Sequence, residues 1–224
     1  MNMEAAIFDV DGTLIDSMGM WNQCGERYLR ARGLKATDDL SDRMRVLPIG
    51  ESGKLLKRLY DLPETADEVT AGLNAIAHDF YMNEAELKPY IPELLETLRR
   101  AGIPMTVATA SAHDVVDRVL THLGIRGYFN EILSCDDLGL NKRQPRFFVK
   151  CAARLNTDPR KTWVFEDVIH AVETARMAGL PVAGMYDEES RDNEAKIRVL
   201  AHRYLKTRED FERFAEDVVG VPLG

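Results

Sequence analysis

Cysteine is scarce in this chain. Cys24, Cys135 and Cys151 are odd in number, far apart and in no C-x-x-C pairing. That argues against a disulfide framework or a thiolate zinc site and suits a reducing compartment. No stretch approaches the ~18 consecutive apolar residues of a membrane span, and Asp9 cuts the apolar run nearest the start. Met1-Asn2-Met3-Glu4 has no basic region, so no signal peptide is expected and the chain reads as cytoplasmic. Basic charge is also short, with 29 Lys+Arg against 37 Asp+Glu for a formal charge of −8. A nucleic-acid surface needs concentrated Lys and Arg, so none is expected. A local positive pocket for a phosphorylated small molecule remains compatible with net acidity. The five histidines, His78, His113, His122, His170 and His202, show no ligand spacing. Internal repeats and low-complexity tracts are absent as well.

What the chain has is length and apolar content: 224 residues, 45% hydrophobic. At roughly 150 residues per domain, this suggests one large domain or a core with an insertion. Ala5-Ala6-Ile7-Phe8 is continuously apolar, as a strand buried on both faces of a parallel sheet should be. From about Ser17 to Lys88 the pattern turns helical, with stretches through Trp21–Leu29, Leu40–Leu47, Lys54–Tyr60 and Ala66–Tyr81. After Pro89, helix and strand alternate. Strands are expected near 105–108, 131–134, 162–165 and 181–185, and helices between and after them. The reading is α/β: a doubly wound parallel sheet formed by 1–16 and 89–224, with 17–88 inserted as an α-helical domain.

In such a sheet, ligands bind beyond the carboxyl ends of the strands. Four segments fall there: Asp9–Thr13, Thr109–Ser111, Asn141–Arg143 and Glu166-Asp167. Singly, each has a plain structural role available, as a helix cap, a turn residue or a solvated charge. Jointly they bring several carboxylates, two hydroxyls and a lysine to one rim. Clustered carboxylates repel, and a hard divalent cation with oxygen ligands, Mg²⁺ rather than zinc, relieves the repulsion.

Asp9-Val10-Asp11-Gly12-Thr13-Leu14-Ile15-Asp16-Ser17 resembles the first motif of the haloacid dehalogenase-like hydrolases, in the form carried by their phosphatases and phosphomutases. Ala108-Thr109-Ala110-Ser111 is similar to the second motif, Lys142 to the third, and Phe165-Glu166-Asp167 with Ala178-Gly179 to the fourth. The resemblance covers almost the whole chain and places a helical cap at 17–88. It implies a Mg²⁺-dependent phosphatase acting through an aspartyl-phosphate, with Asp9 as nucleophile and Asp11 as general acid and base. It also implies Mg²⁺ held by Asp9, the Asp11 carbonyl and Asp167, with Glu166 acting through water. Phosphate oxygens would be met by Thr109, the Ala110 N–H and Lys142, with Gly12 allowing close approach of the chain. Asp16 and Ser17 are expected to shape the turn into the cap.

Several positions depart from the family pattern. Arg143 and Arg146 stand where a proline and an aspartate are usual, and either could supplement or replace Lys142. Val168 and Ala171 replace a common serine and glycine. Gly50, Glu51, Ser52 and Lys54, after Pro48, are expected to form a cap loop lowered over the site, with an ordinary interhelical turn as the other reading. A β-phosphoglucomutase-like activity is the first alternative, though its usual histidine after the first motif is missing, since His78 is the earliest in the chain. A non-catalytic phosphate- or metal-sensing module is the second. The substrate is expected to be a small phosphorylated metabolite, such as a sugar phosphate or a nucleotide, and the protein a monomer, with a dimer as the alternative.

Overall fold

A computed structural model describes residues 3–45 and 47–224. Met1 and Asn2 of the expected N-terminal reading, and Val46 of the expected Leu40–Leu47 helix, lie outside the described residues. The chain divides into two compact units, one running to Asp16 and resuming at Glu86–Gly224, the other Ser17–Ala85.

The first unit begins with β1 (Ala5–Phe8), every residue of which is buried. The chain then passes through the second unit's helices α1 (Met18–Arg30), α2 (Leu40–Arg45), α3 (Ile49–Tyr60) and α4 (Ala66–Asn83). It rejoins the first unit before the Lys88 expected as the last inserted residue. The Asp16 N–H donates to the Glu86 carbonyl, Leu87 bridges Ile15, and the Lys88 N–H donates to the Leu14 carbonyl. From there α5 (Ile91–Arg100), β2 (Met105–Thr109), α6 (His113–His122), β3 (Glu131–Ser134), α7 (Cys135–Leu138) and α8 (Pro145–Arg154) follow. The unit ends with β4 (Thr162–Glu166), α9 (Ile169–Met177), β5 (Val182–Met185), α10 (Glu194–Leu200), β6 (Arg203–Leu205) and α11 (Arg208–Phe214).

Among the described residues the strands pair in parallel throughout, in the order β3-β2-β1-β4-β5-β6. Successive strands move one way from β1 to β3 and the other way from β4 to β6. The switch therefore falls at β1, and the ends of β1, β2 and β4 open on one crevice. Near-total burial of β1, β2 and β4 accounts for their largely apolar sequences, and the buried Thr106 of β2 is satisfied by donating its hydroxyl to the Glu131 carbonyl at 2.7 Å. The Phe8 ring stacks on Phe165 of the neighbouring strand, centroids 4.2 Å apart, and Phe214 of α11 packs edge-on against Phe165 and Trp163. β6 has no such run. Arg203 is exposed, Tyr204 half-buried and only Leu205 buried, and its strand character comes from pairing with β5.

In the second unit, the expected loop at Gly50, Glu51, Ser52 and Lys54 is instead helical and forms the first turns of α3. Pro48 sits at the N-cap, where its fixed φ and missing N–H cost nothing. Ser52 is buried, while Lys54 and Glu51 pair on the exposed face at 2.8 Å. The two glycines do not signal a turn. Gly53 lets α4 approach, since a Cβ there would lie 2.1 Å from the Thr70 Oγ1 and 2.9 Å from the Ala66 carbonyl oxygen. Gly50 has open space around it. A Gly→Ala change gains up to ~1 kcal/mol of helix propensity, whereas forcing a methyl into packed backbone costs about 1–3 kcal/mol. Thermal denaturation should therefore show Gly53→Ala destabilised and Gly50→Ala neutral or slightly stabilised.

Candidate active site

Asp9 follows directly on β1, and its N–H donates to the Phe165 carbonyl of β4 at 3.1 Å. This ties it to the strand that delivers Glu166 and Asp167. The next residues fold back on themselves: the Gly12 N–H donates to the Ile15 carbonyl, and the Leu14 and Ile15 N–H groups donate to Val10. Gly12 holds φ at 81°, a left-handed conformation that a side chain would strain. This tight turn turns Asp11 toward β2, where the Ser111 hydroxyl donates to its Oδ2 at 2.9 Å. Thr109 is buried at the end of β2, and its Oγ1 accepts the Ser111 N–H at 3.0 Å.

Lys142 lies between α7 and α8, and local hydrogen bonding explains why it faces inward. Asn141 Oδ1 accepts the Arg143 N–H, Gln144 Oε1 accepts the Asn141 N–H, and the Gln144 N–H donates to the Asn141 carbonyl. The turn is thereby locked with Lys142 at its buried edge. The Lys142 Nζ donates to Asp9 Oδ1 and lies 3.4–3.5 Å from both Glu166 oxygens. Arg143 and Arg146 are exposed, so Lys142 is the cation in contact with the carboxylates.

Asp9, Glu166 and Asp167 are buried together, with a carboxylate oxygen of each within 4.8 Å of the others. Asp11 stands outside that trio, on the β2 side. Glu166, expected to act from further out, is a full member of the cluster. Asp167 is completely buried, and its Oδ1 accepts the Thr13 hydroxyl at 3.3 Å. Three carboxylates against one ammonium leave a formal charge of −2 in a site that water barely reaches. Burial above all, then repulsion from neighbouring carboxylates, pushes the Asp9 carboxyl up and holds Glu166 and Asp167 well above the usual carboxylate range. Asp11 repels Asp9, Asp9 repels Glu166, and Asp9 and Asp187 repel Asp167, with Lys142 opposing the rise in each and Lys88 also at Asp167. For Lys142 itself, burial disfavours the ammonium, but Asp9 and Glu166 together outweigh this and raise its pKa.

The donor set fits a hard divalent cation: oxygen ligands only, two negative charges in excess, and no histidine or thiolate. The imbalance also carries a pH signature. Three carboxyls whose folded-state pKa values are raised stabilise the fold fully below their unfolded values near ~4. That contribution is lost as pH climbs through the raised values. Exposed carboxylates such as Asp158, lowered to about 2 by Arg160, do the reverse and lose their contribution only as pH falls below the unfolded range. In chelator, the melting temperature should thus rise as pH is lowered from about 8 toward 5. Added Mg²⁺ should raise it most at neutral pH and flatten the profile. Differential scanning fluorimetry over pH, with EDTA and with Mg²⁺, checks both statements.

Three residues with a part here were not expected from the sequence. Ser190 donates its hydroxyl to Asp167 Oδ2 at 3.3 Å. Asp187, in the acidic stretch Asp187-Glu188-Glu189, is buried and paired with Lys88 at 2.6 Å. Its neighbours Glu188 and Glu189 are exposed. The available signal was positional: Asp187 and Ser190 follow the end of β5 as Asp167 follows β4.

The chain is also similar to known proteins. A family profile described as haloacid dehalogenase-like hydrolase matches residues 6–185. The phosphoglycolate phosphatase of Rhodobacter capsulatus is 32% identical over 79% of this chain and 81% of its own. The phosphorylated carbohydrates phosphatase of Thermotoga maritima is 26% identical over 80% of this chain and 82% of its own. A Thermotoga maritima crystal structure, provisionally described as a β-phosphoglucomutase, superposes with a TM-score of 0.82 at 25% identity, covering 96% of this chain and 99% of that one. Among the described residues, no helix is long and apolar enough to cross a membrane.

Proposed function

We propose that this chain, which belongs to the haloacid dehalogenase-like hydrolase family, is a Mg²⁺-dependent phosphatase of a small phosphorylated metabolite. The observation that carries the reading is the buried Asp9–Glu166–Asp167 trio with Lys142 inside it and Asp11 beside it. Relatives named for phosphorylated carbohydrates and for phosphoglycolate support a small, sugar-sized or smaller substrate.

In this reading an Asp9 carboxylate oxygen attacks phosphorus, forming an O–P bond as the bond to the leaving oxygen breaks. Asp11 begins protonated and gives its proton to that oxygen, releasing the alcohol. It then takes a proton from water as the water oxygen attacks the aspartyl-phosphate, freeing inorganic phosphate and Asp9. The hydrogen bond from Ser111 holds Asp11 in place for both transfers. Lys142 neutralises charge on the transferring group and keeps Asp9 oriented. Thr109 and the Ala110 N–H face the phosphate oxygens, and the Gly12 turn lets the backbone approach them. Bound between Asp9 and Asp167, with Glu166 beside them, Mg²⁺ would supply positive charge to the phosphoryl oxygens.

Release of inorganic phosphate from a panel of phosphorylated metabolites, with Mg²⁺ and with EDTA, tests this. The expected result is Mg²⁺-dependent release from one or a few members. Absence of release across the panel by well-folded protein would overturn the reading. Conversion of a sugar phosphate into its positional isomer, without release, would favour the mutase alternative.

A further inference from the structure

The buried pair Lys88–Asp187 has no place in the chemistry just described, yet it stands beside it. Lys88 lies where the chain re-enters the first unit, pinned by its N–H to the Leu14 carbonyl. Its ammonium meets Asp187 Oδ2 at 2.6 Å, and both side chains are nearly out of solvent, at 11% and 2% exposure. The second oxygen, Oδ1, accepts the Glu189 N–H at 3.0 Å, and the Asp187 carbonyl accepts the Ser190 N–H at 3.1 Å. Asp187 thus caps and closes the 3₁₀ turn Glu188–Asn193 after β5. This turn carries Ser190, whose hydroxyl reaches Asp167 Oδ2.

An ion pair this buried is a costly way to hold a surface turn, because desolvating two charges consumes most of their attraction. Apolar residues of similar size could not accept the Glu189 N–H that closes the turn, and so could not fix Ser190 against a carboxylate that must present one lone pair to a metal. Asp167 accepts from Thr13 on Oδ1 and from Ser190 on Oδ2. With a donor on each oxygen its rotation is stopped, and each oxygen keeps a lone pair free. Outer hydrogen bonds of this kind set the orientation of a metal-binding carboxylate, and losing one typically costs 10–100-fold in metal affinity.

We propose that Lys88, Asp187 and Ser190 form a positioning chain that orients Asp167 for Mg²⁺. The proposal rests on the metal-dependent reading of the same site. Its links run from the re-entry segment at Lys88, through the turn after β5, to the carboxylate after β4. Ser190 touches Asp167, while Asp187 and Lys88 act through Ser190 and through their opposed charges beside Asp167, so all three are positioning rather than catalytic residues.

Calorimetric titration of full-length protein with Mg²⁺ alone, at one fixed pH, tests the chain. Ser190→Ala should weaken Mg²⁺ binding about 10–100-fold while leaving the melting temperature in EDTA within a degree or two of wild type. Ser190→Thr, which keeps the hydroxyl, should restore most of the affinity. Asp187→Asn keeps a carbonyl oxygen for the Glu189 N–H but loses the ion pair, and should fall between the two. In turnover assays, the Ser190→Ala defect should shrink as Mg²⁺ is raised, which a general loss of structure would not allow. Equal Mg²⁺ affinity in wild type and Ser190→Ala overturns the proposal. That failure differs from failure of the phosphatase reading, which would appear as normal Mg²⁺ binding by wild type without phosphate release.

Discussion

Replacing Asp9 with asparagine is expected to reduce phosphate release by roughly five orders of magnitude or more, the scale seen when a catalytic nucleophile is removed. An amide has almost the same shape as a carboxylate, but it supplies no anionic oxygen to form the O–P bond. At 1.36 kcal/mol per tenfold, five orders correspond to about 7 kcal/mol of lost transition-state stabilisation. Stability should move the other way. The trio carries two negative charges in excess, and Asp9→Asn removes one of them, while Lys142 keeps its contact with Glu166 at 3.4 Å. In EDTA at neutral pH the variant should melt at or above the wild-type temperature, and it should gain less from Mg²⁺. Single-turnover assays should detect no phosphorylated enzyme. Turnover within a hundredfold of wild type would remove Asp9 from the nucleophilic role, and a large fall in stability would mean that the crowding of charge has been misjudged.

The ends of β1 and β4 were readable in the sequence because a parallel strand buried on both faces is mostly apolar and turns polar abruptly where it leaves the sheet. Ala5–Phe8 followed by Asp9, and Thr162–Phe165 followed by Glu166-Asp167, are breaks of that kind, and the parallel order then placed them at one rim. β6 could not be read this way. Three residues with one buried side chain make no period, and only the partner strand makes them a strand. The Pro48–Lys54 stretch misled for a related reason. Gly53 reads as a breaker when only the backbone is considered, but its missing side chain serves the contact between α3 and α4, which is tertiary information. The stretch Tyr186–Glu189 hid its buried member in the same way. Three acids in a row suggest solvent, and nothing local shows that Asp187 meets a lysine 99 residues away in the chain.

Lys142 tests the electrostatic argument from the opposite side. Among the described residues it is the one ammonium paired with Asp9 and Glu166, and Lys142→Met exchanges it for a side chain of similar length without charge. Three buried carboxylates then face one another with no cation among them. Removing one partner from a buried ion pair costs about 3–5 kcal/mol, and for a protein of this size each kcal/mol lowers the melting temperature by roughly 2–4 °C. A fall of about 6–20 °C is therefore expected in EDTA at neutral pH. Lowering the pH should recover much of it, because protons then take up the charge the lysine had balanced. Mg²⁺ should also recover stability at neutral pH, yet phosphate release should stay about 10²–10³-fold below wild type, since the charge aimed at the transferring group is gone. Arg143→Ala, at an exposed neighbour, should leave stability unchanged and serves as the control. Asp9→Asn and Lys142→Met thus both lower activity, yet only the second lowers stability, because one removes an anion and the other a cation from the same buried cluster. If both variants lost stability alike in EDTA, shape rather than charge would govern the site, and the case for a bound divalent cation would fall with it.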